Sequence, residues 1–205
     1  MRGAYASEHI SLGKCCSSFV SRQPYDLVQE IEGHSSRVAA MCVMLAEATG
    51  IVSPTLAYAC GYFHDFGKFK MPNVILKQGR LSDMDKVQVR KHPDYGIEIL
   101  TSEFSLELNA VIHDAVLYHH ERFDGSGYPC GLCGNSIPAI ARLVSVCDVV
   151  DALASDRCYR PQWSPARIAE YLKEEGGRMW GPLIGERVPH ILPDLLRVRR
   201  GGRHA

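Results

Sequence analysis

Five stretches of this chain carry imidazoles and carboxylates in arrangements that can hold metal ions. His64-Asp65 is a weak signal alone, since the same dipeptide recurs at His113-Asp114. Adjacent side chains on a helix diverge by about 100°, so His64 and Asp65 can serve one metal cluster only where the backbone bends or two ions are present. The run His119-His120-Glu121 followed by Asp124-Gly125-Ser126-Gly127-Tyr128-Pro129 is stronger. Its glycines let the backbone fold closely over a site. Glu30 and His34, four residues apart, share one helix face. His92 stands between Lys91 and Pro93 at a helix start. Asp148 lies among Leu143, Val144, Val146, Val149 and Leu153, and a carboxylate in so apolar a run should be paired or metal-bound. Asp151 follows on the same face. Imidazole with carboxylate suits iron, manganese, zinc or nickel better than calcium.

The elements that must position these groups read as helices. Leu27, Val28, Ile31, Val38, Met41 and Leu45 recur at helical spacing between Pro24 and Gly50. Ser53-Pro54 supplies a cap and a first-turn proline for a second helix, which Gly67 should end. Ser82 opens a third, running to Lys91, and further helices are expected at about 94–102, 104–120, 139–155 and 164–176. The segment from Asp124 to Pro138, rich in Gly and Pro, is the densest turn signal. Alternation of strand type is nearly absent, so the fold class is all-α. Residues 1–23 read as an irregular lead-in, 24–190 as one domain, and 191–205 as a C-terminal tail with a solvated basic end.

The 205 residues are enough for one domain with a real core. Lys plus Arg equals Asp plus Glu at 23 each, which argues against a general binder of nucleic acid polymers. No segment has the apolar length to cross a bilayer, and Met1 to Val20 lacks the core of a signal peptide. The expected address is cytoplasmic, where the eight cysteines would be thiols. Cys42, Cys60 and Cys147 read as core residues. Cys130 and Cys133 form a C-x-x-C, a spacing compatible with redox or zinc chemistry, but no second pair follows at zinc-finger spacing. His113-Asp114 reads as a surface or core-edge pair.

Taken in order, the motifs resemble the HD-GYP family of HD-domain phosphohydrolases. The matching stretches are His64-Asp65-Phe66-Gly67-Lys68, Met71-Pro72-Asn73-Val74-Ile75-Leu76, His92-Pro93 with Gly96, and His119-His120-Glu121. They continue with Asp124 to Pro129, Gly131-Leu132, Ile137-Pro138, Asp148 with Asp151-Ala152-Leu153, and Arg157-Cys158-Tyr159-Arg160. The resemblance implies an all-helical bundle around two or three divalent ions, iron or manganese first, with a Gly-Tyr-Pro loop at the site mouth. It implies His34, His64, Asp65, His92, His119, His120 and Asp148 as ligands, with Glu30 matching the extra carboxylate of three-metal members. Lys68 matches a lysine on the scissile phosphate. Arg157 and Arg160 match basic positions that grip the ligand, and Asp151, Gly127, Tyr128 and Pro129 fall with the substrate-binding set. Phe66 replaces an aliphatic residue of the pattern, Cys158 replaces a proline, and Met179-Trp180-Gly181-Pro182 resembles a Phe-Asp-Pro motif without its Asp.

The implied reaction is hydrolysis of cyclic di-GMP to pGpG or GMP. Metal lowers the pKa of water toward roughly 7, and Glu30, Asp65 and Asp148 would leave two or three divalent ions incompletely neutralised, so the site would attract the diester despite a neutral chain. The expected nucleophile is a hydroxide bridging the ions, with Lys68 stabilising charge on the phosphoryl oxygens and Asp65 holding the ions. Another nucleotide or cyclic dinucleotide is an alternative substrate. A non-catalytic adaptor, binding partners such as diguanylate cyclases through the Gly-Tyr-Pro loop, is a further one. Retention of all the ligands favours catalysis.

Overall fold

A computed structural model describes residues 17–104, 109–156 and 160–201, and its elements are helical. Helix α1 spans Tyr25–Thr49 and ends at Gly50, whose N–H bonds the Ala46 carbonyl at 2.8 Å. It buries Leu27, Ile31, Val38, Met41 and Leu45, the stripe that the apolar spacing predicts. Helix α2, Pro54–Phe63, starts where Ser53 Oγ accepts the Leu56 N–H at 3.3 Å. It stops at Phe63, ahead of Gly67, and a 3-10 turn over Phe66–Lys70 follows. Next come a short α3 (Pro72–Ile75) and α4 (Asp83–Val89), whose Ser82 and Asp85 satisfy each other's backbone N–H groups in a capping box. Helices α5 (His92–Ser102), α6 (Ala110–Tyr118) and α7 (Ala139–Leu153) complete the site-bearing part. Two long helices, α8 (Pro165–Trp180) and α9 (Pro182–Arg199), pack on each other.

Helix α7 is the hub. It packs against α1, α2, α6, α8 and α9, and Ile140, Leu143, Val144, Val146, Cys147 and Val150 are buried along it. Asp148 is therefore carried into the middle of the domain on a helix whose buried side is largely apolar. Beneath the 3-10 turn lies a knot of rings from Phe19, Phe63, Phe66, Phe69 and Phe104. Phe63 and Phe66 meet edge-to-face at 4.8 Å, a geometry favoured by the ring quadrupoles.

Close backbone approach sets where α5 begins. A Cβ on Gly67 would lie 1.8 Å from the His92 carbonyl oxygen and 2.6 Å from the Gly96 nitrogen. Only glycine lets the turn and α5 touch, and that contact brings His92 up to Asp65.

Two segments differ from the sequence expectation. Residues 191–199, read as part of a tail, continue α9 and bury Leu192, Leu195, Leu196 and Val198. Phe19, within the expected lead-in, is 7% exposed and belongs to the core.

Candidate metal centre

The residues with ligand chemistry arrive from five places. His34 comes from α1, His64 and Asp65 from the end of α2, His92 from the first turn of α5, His119 and His120 from the end of α6, and Asp148 from α7. They form two groups, Asp65-His92-His119-His120 and His34-His64-Asp65-Asp148, in each of which the donor atoms lie within 4.8 Å of one another. Asp65 belongs to both. It sits at φ −105°, ψ 6°, outside helical geometry, so the backbone bend that His64 and Asp65 require is present.

The Asp65 carboxylate is divided between the groups. Its Oδ1 lies 3.2 Å from His92 Nε2 and 3.8 Å from His119 Nε2. Its Oδ2 lies 3.4 Å from both His34 Nε2 and His64 Nε2. Asp148 Oδ1 stands 3.1 Å from His34 Nε2 and 4.0 Å from His64 Nε2.

The rings are held by their other nitrogens. His64 Nδ1 donates to the Gly61 carbonyl at 2.7 Å, His92 Nδ1 to that of Val89 at 2.6 Å, and His119 Nδ1 to that of Val116 at 2.9 Å. His34 Nδ1 donates to Asp151 Oδ2 at 2.8 Å. A carbonyl only accepts, so each ring it holds carries its proton on Nδ1 and turns Nε2 toward the centre, as metal-ligating histidines do.

These groups fit a divalent ion. His34 Nε2, His64 Nε2 and Asp65 Oδ1 are buried without a hydrogen-bond partner, an arrangement that costs free energy unless something positive satisfies it. Burial lowers the His92 pKa to about 3 and the His120 pKa to about 4, the Asp65 carboxylate opposing it in both cases. Burial, reinforced by neighbouring imidazoles, also holds His119 well below its ordinary value. These rings are neutral and available as ligands near pH 7. His34 goes the other way: burial opposes its charge, but Asp148, Asp151 and Asp65 together outweigh that and raise its pKa. Burial likewise opposes charge on Asp65 and Asp148. Lys68 and His64 beside Asp65, and His34 beside Asp148, nevertheless hold both well below the usual carboxylate range. The donor set of imidazole and carboxylate matches borderline transition metals.

Around this centre the Gly-Tyr-Pro loop is pinned from below. Glu121, 2% exposed, accepts the Cys130 N–H at 2.7 Å and the Leu132 N–H at 3.0 Å. A Cβ on Gly127 would lie 2.4 Å from the Arg122 nitrogen and 2.6 Å from the His120 carbonyl oxygen, so the loop can lie on the His119-His120 backbone only with glycine there. The Tyr128 ring then stacks on His120 at 4.7 Å, and the Arg90 guanidinium stands 5.3 Å from the Tyr128 centroid. Pro129, which follows Tyr128, is exposed. Glu121 has no role among the residues expected from sequence. Its place directly after two histidines and before a glycine-rich turn was the signal.

The remaining expected site residues fall in various places. Lys68 Nζ donates to Asp65 Oδ2 and is partly exposed. Glu30 lies one turn before His34, is exposed, and belongs to neither donor group. Asp151 is fully buried and accepts from His34, Arg37 and Arg199. The Arg160 guanidinium bonds the carbonyls of Ala152 and Pro161 and lies over the Trp163 ring at 5.2 Å. Arg157 and Cys158 lie outside the described residues. His113 and Asp114 contact each other at 3.4 Å, are both more than a third exposed, and join neither group. Cys130 and Cys133 are exposed thiols, while Cys42, Cys60 and Cys147 are buried.

A helical bundle whose core gathers histidines and aspartates around a His-Asp step is the architecture of an HD-type domain. The family model described as HD domain matches residues 25–183, and the chain belongs to that family. It is 39% identical over 147 residues to the cyclic di-GMP phosphodiesterase PA4108 of Pseudomonas aeruginosa, covering 70% of this chain and 35% of that protein. It is 33% identical over 174 residues to the 3'3'-cGAMP-specific phosphodiesterase 2 of Vibrio cholerae, covering 83% of this chain and 33% of that one. With the cyclic di-GMP phosphodiesterase of Thermotoga maritima the identity is 34%, over 83% of this chain and 47% of the relative. The chain thus spans about a third to a half of these relatives' lengths. Among solved structures, the HD-GYP-type protein Bd1817 of Bdellovibrio bacteriovorus shares the fold, with a TM-score of 0.62 and 23% identity over 83% of this chain and 53% of that one. No helix among the described residues is long and apolar enough to cross a membrane.

Proposed function

We propose that this chain is the catalytic domain of a metal-dependent phosphodiesterase that hydrolyses a cyclic dinucleotide, cyclic di-GMP first. The observation that carries the reading is the divided Asp65 carboxylate, with one oxygen facing His92 and His119 and the other His34 and His64. One group of side chains so arranged provides two adjoining metal sites that share a ligand. Divalent ions held there, iron or manganese by preference, would lower the pKa of water and neutralise charge on the attacking and leaving oxygens. His34, His64 and Asp148 would hold one ion, His92, His119 and His120 the other, and Asp65 both.

The chain's own residues do the rest. Nδ1 bonds to main-chain carbonyls keep three of the imidazoles aimed, so no reorganisation is needed when substrate arrives. Lys68 places an ammonium beside Asp65, where it can meet a non-bridging phosphoryl oxygen. Tyr128 and Arg90 offer an aromatic face and a cation next to His120, suited to a purine ring and its phosphate. Glu30 is proposed as a ligand only for a third ion.

A second substrate, 3'3'-cGAMP, is favoured by the relatives named as specific for it. The test is product analysis by chromatography after anaerobic reconstitution with ferrous or manganous ion, offering each dinucleotide separately. Conversion to a linear dinucleotide or mononucleotide, lost in Asp65→Asn, is expected. Metal-loaded protein that turns over neither substrate would overturn the reading.

A further inference from the structure

The last residue of α9 reaches the carboxylate that backs His34 in the metal centre. Arg199 Nε donates to Asp151 Oδ1 at 2.6 Å, and its Nη2 donates to Ser155 Oγ at 2.6 Å. Arg37 grips the same carboxylate with two bonds, Nε to Oδ1 at 2.7 Å and Nη2 to Oδ2 at 2.9 Å. Asp151 Oδ2 also accepts from His34 Nδ1 at 2.8 Å and from Ser155 Oγ at 3.3 Å. Asp151 is 0% exposed, and the Arg199 side chain is 14% exposed.

His34 differs from the other ligands in this respect. His64, His92 and His119 lean on main-chain carbonyls three residues back in their own segments. Those acceptors move with the ring. His34 leans on a side chain from another helix, 117 positions away, and that side chain is itself free to turn about its χ angles. Two guanidiniums from α1 and α9 fix it. Both oxygens of Asp151 are occupied by them, so the rotamer that meets His34 Nδ1 is the one they select. The second guanidinium also adds positive charge against a buried carboxylate, next to a histidine that Asp65 and Asp148 already crowd.

Building on the metal-centre reading, we infer that Arg199 and Arg37 are positioning residues for one ion only, the one held by His34, His64, Asp65 and Asp148. They act by locking Asp151 against His34 Nδ1. The position of α9 is thereby read out as affinity at that half of the centre, while the ion at His92, His119 and His120 is indifferent to it. Outer partners of ligating histidines commonly change metal affinity by about 10–100-fold when removed, and Arg199 stands one bond further out, through a carboxylate it shares.

Manganous ion itself is the probe. Metal-stripped wild type, Arg199→Met and Arg199→Lys are titrated with Mn2+, and free aqua ion is counted by electron paramagnetic resonance. The Met variant keeps the stem of the side chain and its packing. Expected is retention of one ion at wild-type affinity and a weakening of the other by about tenfold, with Lys restoring part of the loss. In His34→Ala, which removes the sensitive ligand outright, adding Arg199→Met should have no further effect on the ion that remains. Arg37→Met should weaken the same ion as Arg199→Met. Equal weakening of both ions, or wild-type affinity at both in a variant whose circular dichroism is native, would overturn the inference. Should Arg199→Met fail to fold, Arg199→Lys and Arg37→Met decide on the same criterion. Wild type that binds no Mn2+ would refute the metal centre itself, and the inference with it. That result is distinct from a variant that binds two ions normally.

Discussion

Nε2 of His92 lies 3.2 Å from Nε2 of His119, and both rings spend their Nδ1 protons on main-chain carbonyls. Burial keeps both imidazoles neutral. Two bare lone pairs therefore face each other in a dry interior, a repulsive contact unless a cation stands within reach of both.

Metal should consequently stabilise the fold. Mn2+ at one hundred times its dissociation constant is expected to add about 2.7 kcal/mol per independent site, seen as a higher melting temperature by scanning calorimetry. Chelation with EDTA should reverse it. A melting temperature indifferent to both would mean that the lone pairs are satisfied some other way.

The metal-stripped protein should have a stability optimum near neutrality. His92, at about 3, and His120, at about 4, are depressed below the ordinary value of 6.5. Their contribution is present above 6.5 and is lost as pH falls through the window between 6.5 and those values, because the unfolded chain takes up the protons first. His119 acts in the same direction. His34, whose pKa is raised, contributes fully below 6.5 and loses its contribution as pH climbs past its folded value. Urea midpoints measured from pH 4 to 9 should rise and then fall. A monotonic profile would contradict the balance.

Gly67→Ala should separate His92 from Asp65. The new Cβ would fall 1.8 Å from the His92 carbonyl, so the turn and α5 must part. A cost of at least about 1–3 kcal/mol is expected, the range for overpacking. In the folded fraction, affinity should fall at the ion held by His92, His119 and His120. Urea denaturation and Mn2+ titration would show it.

Glu121→Ala removes the acceptor of two loop amides and should cost about 1–3 kcal/mol for groups left unsatisfied. Faster hydrogen exchange at Cys130 and Leu132 is the direct readout, with Glu121→Gln intermediate because one carbonyl oxygen remains. Unchanged exchange would show that the loop is held elsewhere.

Much of this was legible in the chain. Capping signals at Ser53 and Ser82 mark real helix starts, and the helix expected at 139–155 is α7 at Ala139–Leu153. Of the residues that carry the family resemblance, His64, Asp65, His92, His119, His120 and Asp148 lie within the two donor groups. What escaped was long-range or locally contradicted. Pro189 and Pro193 stand inside α9, where each removes a helical hydrogen bond, so periodicity gives no reason to carry a helix through them. Packing of Leu192, Leu195 and Leu196 overrides that local preference. In the chain Asp151 groups with the substrate-binding residues, and only in three dimensions is its carboxylate found buried and enclosed by Arg37, Arg199 and His34. Glu30 matches by spacing, yet spacing fixes only the helix face and says nothing of its distance from the centre.

Because one carboxylate serves both histidine sets, position 65 cannot be dissected. Lesions at His34 or at His92 leave a protein in which the opposite half can still be interrogated, ion by ion. Every replacement of Asp65 strikes both halves together, so the two half-centres are genetically separable only through the ligands they do not share, the imidazoles and Asp148.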